Sequence, residues 1–268
     1  MGRVTEAKSE SAHVEMRDVA LSFGRRKVFE GLDCGFARGR ISVLMGGSGT
    51  GKSTLLRLIG GLQQPDHGNI RVAGEEIVSA GESARVRARG RLGMLFQNGA
   101  LLDSMSIFEN VALPLREHAR LSEAETADRV HDRLAAVGLF DVDELLPGEL
   151  SGGMLRRAAL ARAIVMEPEI LLCDEPFSGL DPPNVSRIEA LLTHLNRDHG
   201  LTLIVTSHHM ATSLRMAHRI MLLRGGNCIE GSPRQLATSR DSAIREFLGK
   251  DGAEYLAHHG DEFGGGEE

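Results

Sequence analysis

Cysteine is scarce in this 268-residue chain: Cys34, Cys173 and Cys228 are the only three, far apart and without C-x-x-C spacing. An odd, unpaired set excludes a disulfide framework and a thiolate zinc site, and it points to a reducing compartment. Long apolar runs are missing too. The longest, such as ILLC, TLIV and LLRLI, fall far short of the roughly 18 to 20 residues that a membrane-spanning helix needs. The start, MGRVTEAKSESAHVE, is polar and has no apolar core of the kind a secretory signal carries. An excess of positive charge is also absent. The formal net charge is −6, and all of it resides in Asp251, Glu254, Asp261, Glu262, Glu267 and Glu268. Residues 1–250 are electrically balanced, which leaves no electrostatic basis for a nucleic-acid partner. The acidic, glycine-rich stretch 251–268 reads as a disordered extension. The remaining composition, 41% hydrophobic and 25% charged, is that of an ordinary globular protein able to bury a substantial core.

The order of patterns along the chain suggests an α/β fold. Val14 and Met16, then Val19, Leu21 and Phe23, alternate with polar residues, and a slip at residues 17–18 suggests a β-bulge. Ile41–Met45 (ISVLM) is a short apolar strand that runs into GGSGTGKST and a helix-like LLRLIGGL. Gly68 and Gly74 punctuate another strand, NIRVAG. From Gln97 to about Val165 the period becomes helical. Ser106 and Glu109 form one capping box, whose helix Pro114 is expected to kink or end. Ser122 and Glu125 form another, and its helix carries Ala127, Val130, Leu134 and Val137 on one face before stopping near Gly138. Beyond Val165 come strand ILLC, helix VSRIEALLTHL, strand LTLIVTS, a helix around residues 213–218, and strand IMLL. Such alternation predicts a parallel sheet covered on both faces, with a helical insertion at about 98–165 inside a core domain of 14–250.

Two motifs bring chemistry to that frame. Gly46-Gly47-Ser48-Gly49-Thr50-Gly51-Lys52-Ser53, followed by Thr54, fits G-x-x-x-x-G-K-[ST]. Glycines let successive backbone N–H groups converge on phosphate oxygens, at the start of a helix whose dipole favours anions. Lys52 is expected at the β- and γ-phosphates, and the Ser53 hydroxyl on Mg²⁺. A plain glycine-rich turn is the alternative, but the position between an apolar strand and a helix is the one a phosphate loop requires. The run ILLC then delivers Asp174 and Glu175 at a strand's C-terminal end, where ligands of open α/β sheets bind. Asp174 is expected to hold Mg²⁺, directly or through water, and Glu175 to act as general base toward the attacking water. Cys173 reads as a small apolar strand residue. Ser151-Gly152-Gly153 is a second glycine-rich turn opening a helix. It is either a helix cap or an anion site serving a nucleotide on another subunit.

Taken together, the phosphate loop, Gln97, LSGGM followed by RRAALARA, LLCDEP, Ser178-Gly-Leu-Asp181 and Ser207-His208 resemble, in order and over residues 14–235, the ATPases of ABC transporters. The resemblance implies a P-loop NTPase with a RecA-like core, an N-terminal antiparallel β subdomain and an inserted helical subdomain. It implies ATP and Mg²⁺ as cofactors and a second copy of the chain as partner, two protomers enclosing two ATP molecules. Within that arrangement Ser151, Gly152, Gly153 and Asp181 serve the neighbouring site. Gln97 senses Mg²⁺ and the attacking water, and His208 contacts the γ-phosphate. Phe23 stands where such proteins stack an aromatic on adenine; a core position in the strand is the alternative. Met154 and His209 depart from the family's commoner glutamine and aspartate, which bears on rate rather than on the presence of catalysis.

FQNGALLDSMSIFENVALPLREH, read with LSGGMLRRAALARAI, is further similar to the ATPase subunits of lipid importers that pair with Mce-domain proteins. That likeness implies phospholipid or a related hydrophobic cargo, a separate integral-membrane permease, a periplasmic Mce-domain subunit, and a place on the cytoplasmic face of the inner membrane. Motors for amino acids or lipoproteins share the nucleotide motifs and remain the alternative, with a soluble non-transport ATPase of the same superfamily ranked behind them. Ala100, Leu101, Leu102, Met105 and Phe108 are expected to line a groove for a permease helix; packing inside the insertion is the alternative for any one of them and the favoured reading for Phe108. The longer C-terminal tail of the lipid-importer group is not matched by residues 251–268.

Overall fold

A computed structural model of the chain describes residues 12–242 and 244–249. The tail predicted at 251–268 lies outside them. The chain begins with a long antiparallel hairpin, β1 (Ala12–Phe23) and β2 (Arg26–Ala37). The predicted bulge is present: pairing shifts on both sides of β1 between Met16 and Ala20, and Asp18 adopts φ 50°. The Asp18 N–H, displaced from the ladder, donates to Asp33 Oδ1 at 2.8 Å. With β4 (His67–Val72) and β5 (Glu75–Glu76) the hairpin makes a four-stranded sheet ordered β2-β1-β4-β5.

The second sheet carries the site. It contains β3 (Ile41–Met45), β6 (Leu92–Leu95), β7 (Ile170–Asp174), β8 (Thr202–Thr206), β9 (Arg219–Arg224) and β10 (Asn227–Gly231), ordered β10-β9-β3-β8-β7-β6. All its pairings are parallel except that of the edge strand β10. Its inner strands are apolar because both faces are covered. Ile41, Val43, Met45, Leu171, Cys173, Leu203 and Val205 face one core, and Leu44, Ile170, Leu172 and Ile204 the other. This period-two division produces three layers: the four-stranded sheet with α1 (Lys52–Ile59), the central sheet, and a helical layer.

Between β5 and β6 lies α2 (Glu82–Arg89), and the helical layer takes α3 (Ile107–His118), α4 (Glu123–Ala136), α5 (Gly152–Ile164), α6 (Pro182–His199) and α7 (Met210–Met216), while α8 (Pro233–Ala237) follows β10. Both predicted capping boxes form, at Ser106/Glu109 and Ser122/Glu125. Three expectations need correction. Of the two outcomes expected at Pro114, ending does not occur: α3 continues to His118, because Val111, Ala112 and Leu115 are buried on either side of it and hold the helix onto the core. Residues 97–106 are not helical but form an irregular connection. The helix expected around 213–218 begins earlier, at Met210, and ends at Met216.

Candidate active site

Both predicted chemical motifs lie at the C-terminal ends of parallel strands, β3 and β7, which flank β8. The phosphate loop leaves β3 and enters α1 through Gly51, which has φ 104°. A Cβ there would lie 2.8 Å from Phe29 and Val28 of β2, so glycine is required by both the backbone and the packing. The Lys52 ammonium folds over the loop and donates to the carbonyls of Gly46 (3.0 Å) and Gly47 (3.3 Å). Arg26 donates to the Gly49 carbonyl at 2.5 Å, tying the tip of the first hairpin to the loop. Phe23, paired with Arg26 across that tip, is 51% exposed, so the core-strand alternative is excluded.

Ser53 donates its hydroxyl to Asp174 Oδ1 at 2.9 Å, joining the first turn of α1 to the end of β7. The next residue, Glu175, is a non-glycine residue at φ 48°, an uncommon left-handed conformation. Its Oε2 lies 2.7 Å from Nδ1 of His208, which is itself largely exposed. Thus Lys52, Ser53, Asp174, Glu175 and His208 belong to one cluster. His209 packs its ring 4.6 Å from that of His208 and edge-on to Phe177 at 6.0 Å. Burial and the neighbouring His208 both lower its pKa. Cys173 is fully buried and its thiol is pushed far up by that burial, in keeping with a packing residue rather than a nucleophile.

Gln97 is exposed and makes no hydrogen bond to Ser53 or Asp174; it lines a cleft with Gly152, Arg156 and Ser178. Ser151 caps α5, its hydroxyl accepting the Met154 N–H at 3.3 Å. The two glycines after it differ: a Cβ on Gly153 would collide with Asn184 at 2.2 Å, whereas the space beside Gly152 is open. Asp181 caps α6 and accepts from Asn184 Nδ2 at 2.5 Å. Asn184 therefore links Asp181 to the turn at Gly153, and no hydrogen bond joins Ser151, Gly152 or Asp181 to the phosphate loop of their own chain among the described residues.

Sequence reasoning missed the residues that hold these loops. Buried Arg156 donates from Nη1 to the Phe96 carbonyl (3.0 Å) and from Nη2 to the Ser178 carbonyl (3.2 Å). Arg162 donates to the carbonyls of Gly99 (2.9 Å) and Ala100 (2.8 Å). Fully buried Asn110 accepts the Leu102 N–H at 2.7 Å and donates to the carbonyls of Leu102, Met105 and Ser106. The available signal was a run of arginines on the otherwise apolar α5, since an arginine buried in a helical layer must find acceptors.

A phosphate loop, a strand-end acid pair and a facing histidine on a parallel sheet define a P-loop nucleoside triphosphatase. The chain belongs to the ABC transporter family, whose model matches residues 29–178. It is 44% identical over 88% of each chain to the intermembrane phospholipid transport system ATP-binding protein MlaF of Escherichia coli (strain K12). It is 37% identical, over 91% of this chain and 68% of the relative, to the probable ribonucleotide transport ATP-binding protein mkl of Mycobacterium tuberculosis (strain ATCC 25618 / H37Rv). Among solved structures, a dimeric ATP-binding cassette in a post-hydrolysis state, bound to ADP and Pi, superposes with a TM-score of 0.76 at 29% identity, covering 82% of this chain and 98% of that one.

Proposed function

We propose that this chain is the ATP-hydrolysing subunit of a bacterial ABC transporter that moves phospholipid through the cell envelope. The ATPase half is carried by the Glu175–His208 contact of 2.7 Å beside the phosphate loop. Glu175 is the general base for the attacking water, His208 contacts the γ-phosphate, and Lys52 with the loop N–H groups of residues 46–54 holds the phosphates. Phe23 stacks on adenine. Ser53 and Asp174 present hard oxygen donors 2.9 Å apart, a set that suits Mg²⁺, which takes few protein ligands and completes its shell with phosphate and water. Bound there, Mg²⁺ supplies charge neutralisation on the transferred phosphoryl group. Gln97 reports that state to the helical layer.

Two protomers assemble with ATP between them. Ser151, Gly152 and Gly153 of one chain cover the nucleotide of the other, and Asp181 couples the two sites. The open flank of Gly152 and the Asn184-braced turn support this reading. The chain rests on the cytoplasmic face of the inner membrane against an integral-membrane permease, with a periplasmic Mce-domain subunit in the same complex. No helix among the described residues is long and apolar enough to cross a membrane, which agrees with a separate permease. The permease helix is received beside residues 100–108, where Ala100 is exposed and Leu102 is 43% exposed. Leu101 and Phe108 pack against the core beneath.

Phospholipid as cargo rests on the 44% identity to a protein named for phospholipid transport. A different solute is the second reading, favoured by the 37% relative named for ribonucleotide transport. Purification of the tagged chain from native membranes decides between them. Co-recovery of a permease and an Mce-domain subunit, with lipid-stimulated ATPase in nanodiscs, is the expected result. Recovery of a periplasmic amino-acid receptor instead would overturn the lipid assignment.

A further inference from the structure

Thr206 is the last residue of β8 and has no exposed surface. β7 and β8 run parallel with Asp174 registered on Thr206. Across this pair the Thr206 hydroxyl makes two contacts. It donates to Asp174 Oδ1 at 2.8 Å and accepts the backbone N–H of Glu175 at 2.8 Å. Ser53 donates to the same Asp174 oxygen at 2.9 Å. Oδ1 is thereby engaged by two hydroxyls, while Oδ2 takes no hydrogen bond among the described residues. Glu175 meanwhile holds φ 48°, and the acceptor that satisfies its N–H in this disfavoured conformation is Thr206.

We propose that Thr206 is a positioning residue for ATP hydrolysis. Its hydroxyl fixes the Asp174 carboxylate with Oδ2 available to Mg²⁺, and it locks the Glu175 backbone so that the carboxylate meets His208 and the attacking water. The inference rests on the assignment of Asp174 and Glu175 made above. Neither contact is open to an apolar β-branched residue. Valine at this position fits the strand and the volume, but it leaves the Glu175 N–H without an acceptor and Asp174 Oδ1 with Ser53 as its one remaining donor among the described residues.

The test compares Thr206→Val and Thr206→Ser in the full chain by ATP turnover, by Mg²⁺ titration of a fluorescent ATP analogue, and by urea unfolding. The valine variant is expected to lose about 10- to 100-fold in kcat, the scale of one or two hydrogen bonds to a charged group. Its half-saturating Mg²⁺ concentration rises, while affinity for the analogue in EDTA stays unchanged. The serine variant, which keeps the hydroxyl and loses the methyl, stays within about two-fold of the unsubstituted chain in rate and Mg²⁺ requirement. A valine variant matching the unsubstituted chain in rate and Mg²⁺ response overturns the proposal. So does a serine variant that loses activity as valine does, because packing of the methyl would then be the cause; this comparison stands even if valine impairs folding. Absence of Mg²⁺-dependent turnover in the unsubstituted chain would instead remove the functional reading itself, and this proposal with it.

Discussion

His208 Nδ1 lies 2.7 Å from Glu175 Oε2, although the two residues are 33 positions apart on different strand ends. That contact orients the carboxylate proposed above as the base. Glu175→Gln keeps the shape of the side chain and removes its basicity, so hydrolysis is expected to fall by about 10²- to 10⁴-fold. ATP binding survives, and gel filtration with ATP shows a dimer accumulating. A purely monomeric elution of that variant with ATP counts against the two-protomer sandwich.

Lys52 donates to the carbonyls of Gly46 and Gly47, which places its ammonium over the loop. Lys52→Ala removes the loop's ammonium, and ATP affinity is expected to weaken by about 10- to 100-fold, the scale of a charge-assisted hydrogen bond. Equilibrium binding of a fluorescent ATP analogue reads this directly. Unchanged affinity would take Lys52 out of the phosphate role.

Leu102 is exposed beside a connection that Asn110 holds from beneath. A charge at this position, as in Leu102→Asp, is expected to separate ATPase from transport while ATP affinity stays intact. Paired measurements on the reconstituted complex check it. Loss of ATP binding would make the segment part of the nucleotide core.

Arg156 bridges the carbonyls of Phe96 and Ser178 from a buried position, next to the loops that hold Gln97 and Asp181. Arg156→Met keeps the apolar stem and removes both bonds, leaving the Phe96 carbonyl with the Gly99 N–H and the Ser178 carbonyl without its Arg156 donor. Unfolding free energy is expected to drop by about 1–3 kcal/mol. Urea denaturation measures this, and a midpoint equal to that of the unsubstituted chain would show the bridge to be dispensable.

His13 is buried at the far end of the central sheet, with Nδ1 2.7 Å from Thr202 Oγ1 and Nε2 3.3 Å from Glu169. Burial and then Arg38 lower its pKa from 6.5, and the hydrogen bond to Glu169 opposes them only in part. Between the lowered folded value and 6.5 the unfolded chain binds more protons, so stability rises with pH across that window. The contribution is complete above 6.5 and is lost as pH falls through the folded value. His13→Gln is expected to flatten this dependence in urea midpoints taken from pH 5 to 7.5. A slope equal to that of the unsubstituted chain would assign the acid sensitivity elsewhere.

Much of the frame was legible because it depends on neighbours in sequence. Ile41–Met45, the capping boxes of α3 and α4 and the Gly51 entry to α1 obey local rules of alternation, side-chain capping and left-handed glycine. Even the bulge at Asp18 left a one-residue slip in the pattern. Elements without such a signature were missed. Most of β2 alternates imperfectly, β6 is only four residues long, and α2 has just one buried residue, Ala88. That α3 runs on past Pro114 could not be read locally, because the burial of Val111 and Leu115, which holds the helix together, is a tertiary fact.

By itself the sequence determined the chemical vocabulary: a glycine loop for phosphate, an acid pair at a strand end, a serine–glycine turn and a histidine downstream, in an order that already specified the class of machine. Only the tertiary structure decided how those groups meet. It set Phe23 at the surface rather than in the core, placed His208 on Glu175, braced Gly153 against Asn184, and spent the Thr206 hydroxyl on Asp174 and Glu175 at once. The reason is physical. A motif is written in residues adjacent along the chain, whereas hydrogen bonds between parallel strands depend on register, and register is settled by the apolar cores on both faces of the sheet.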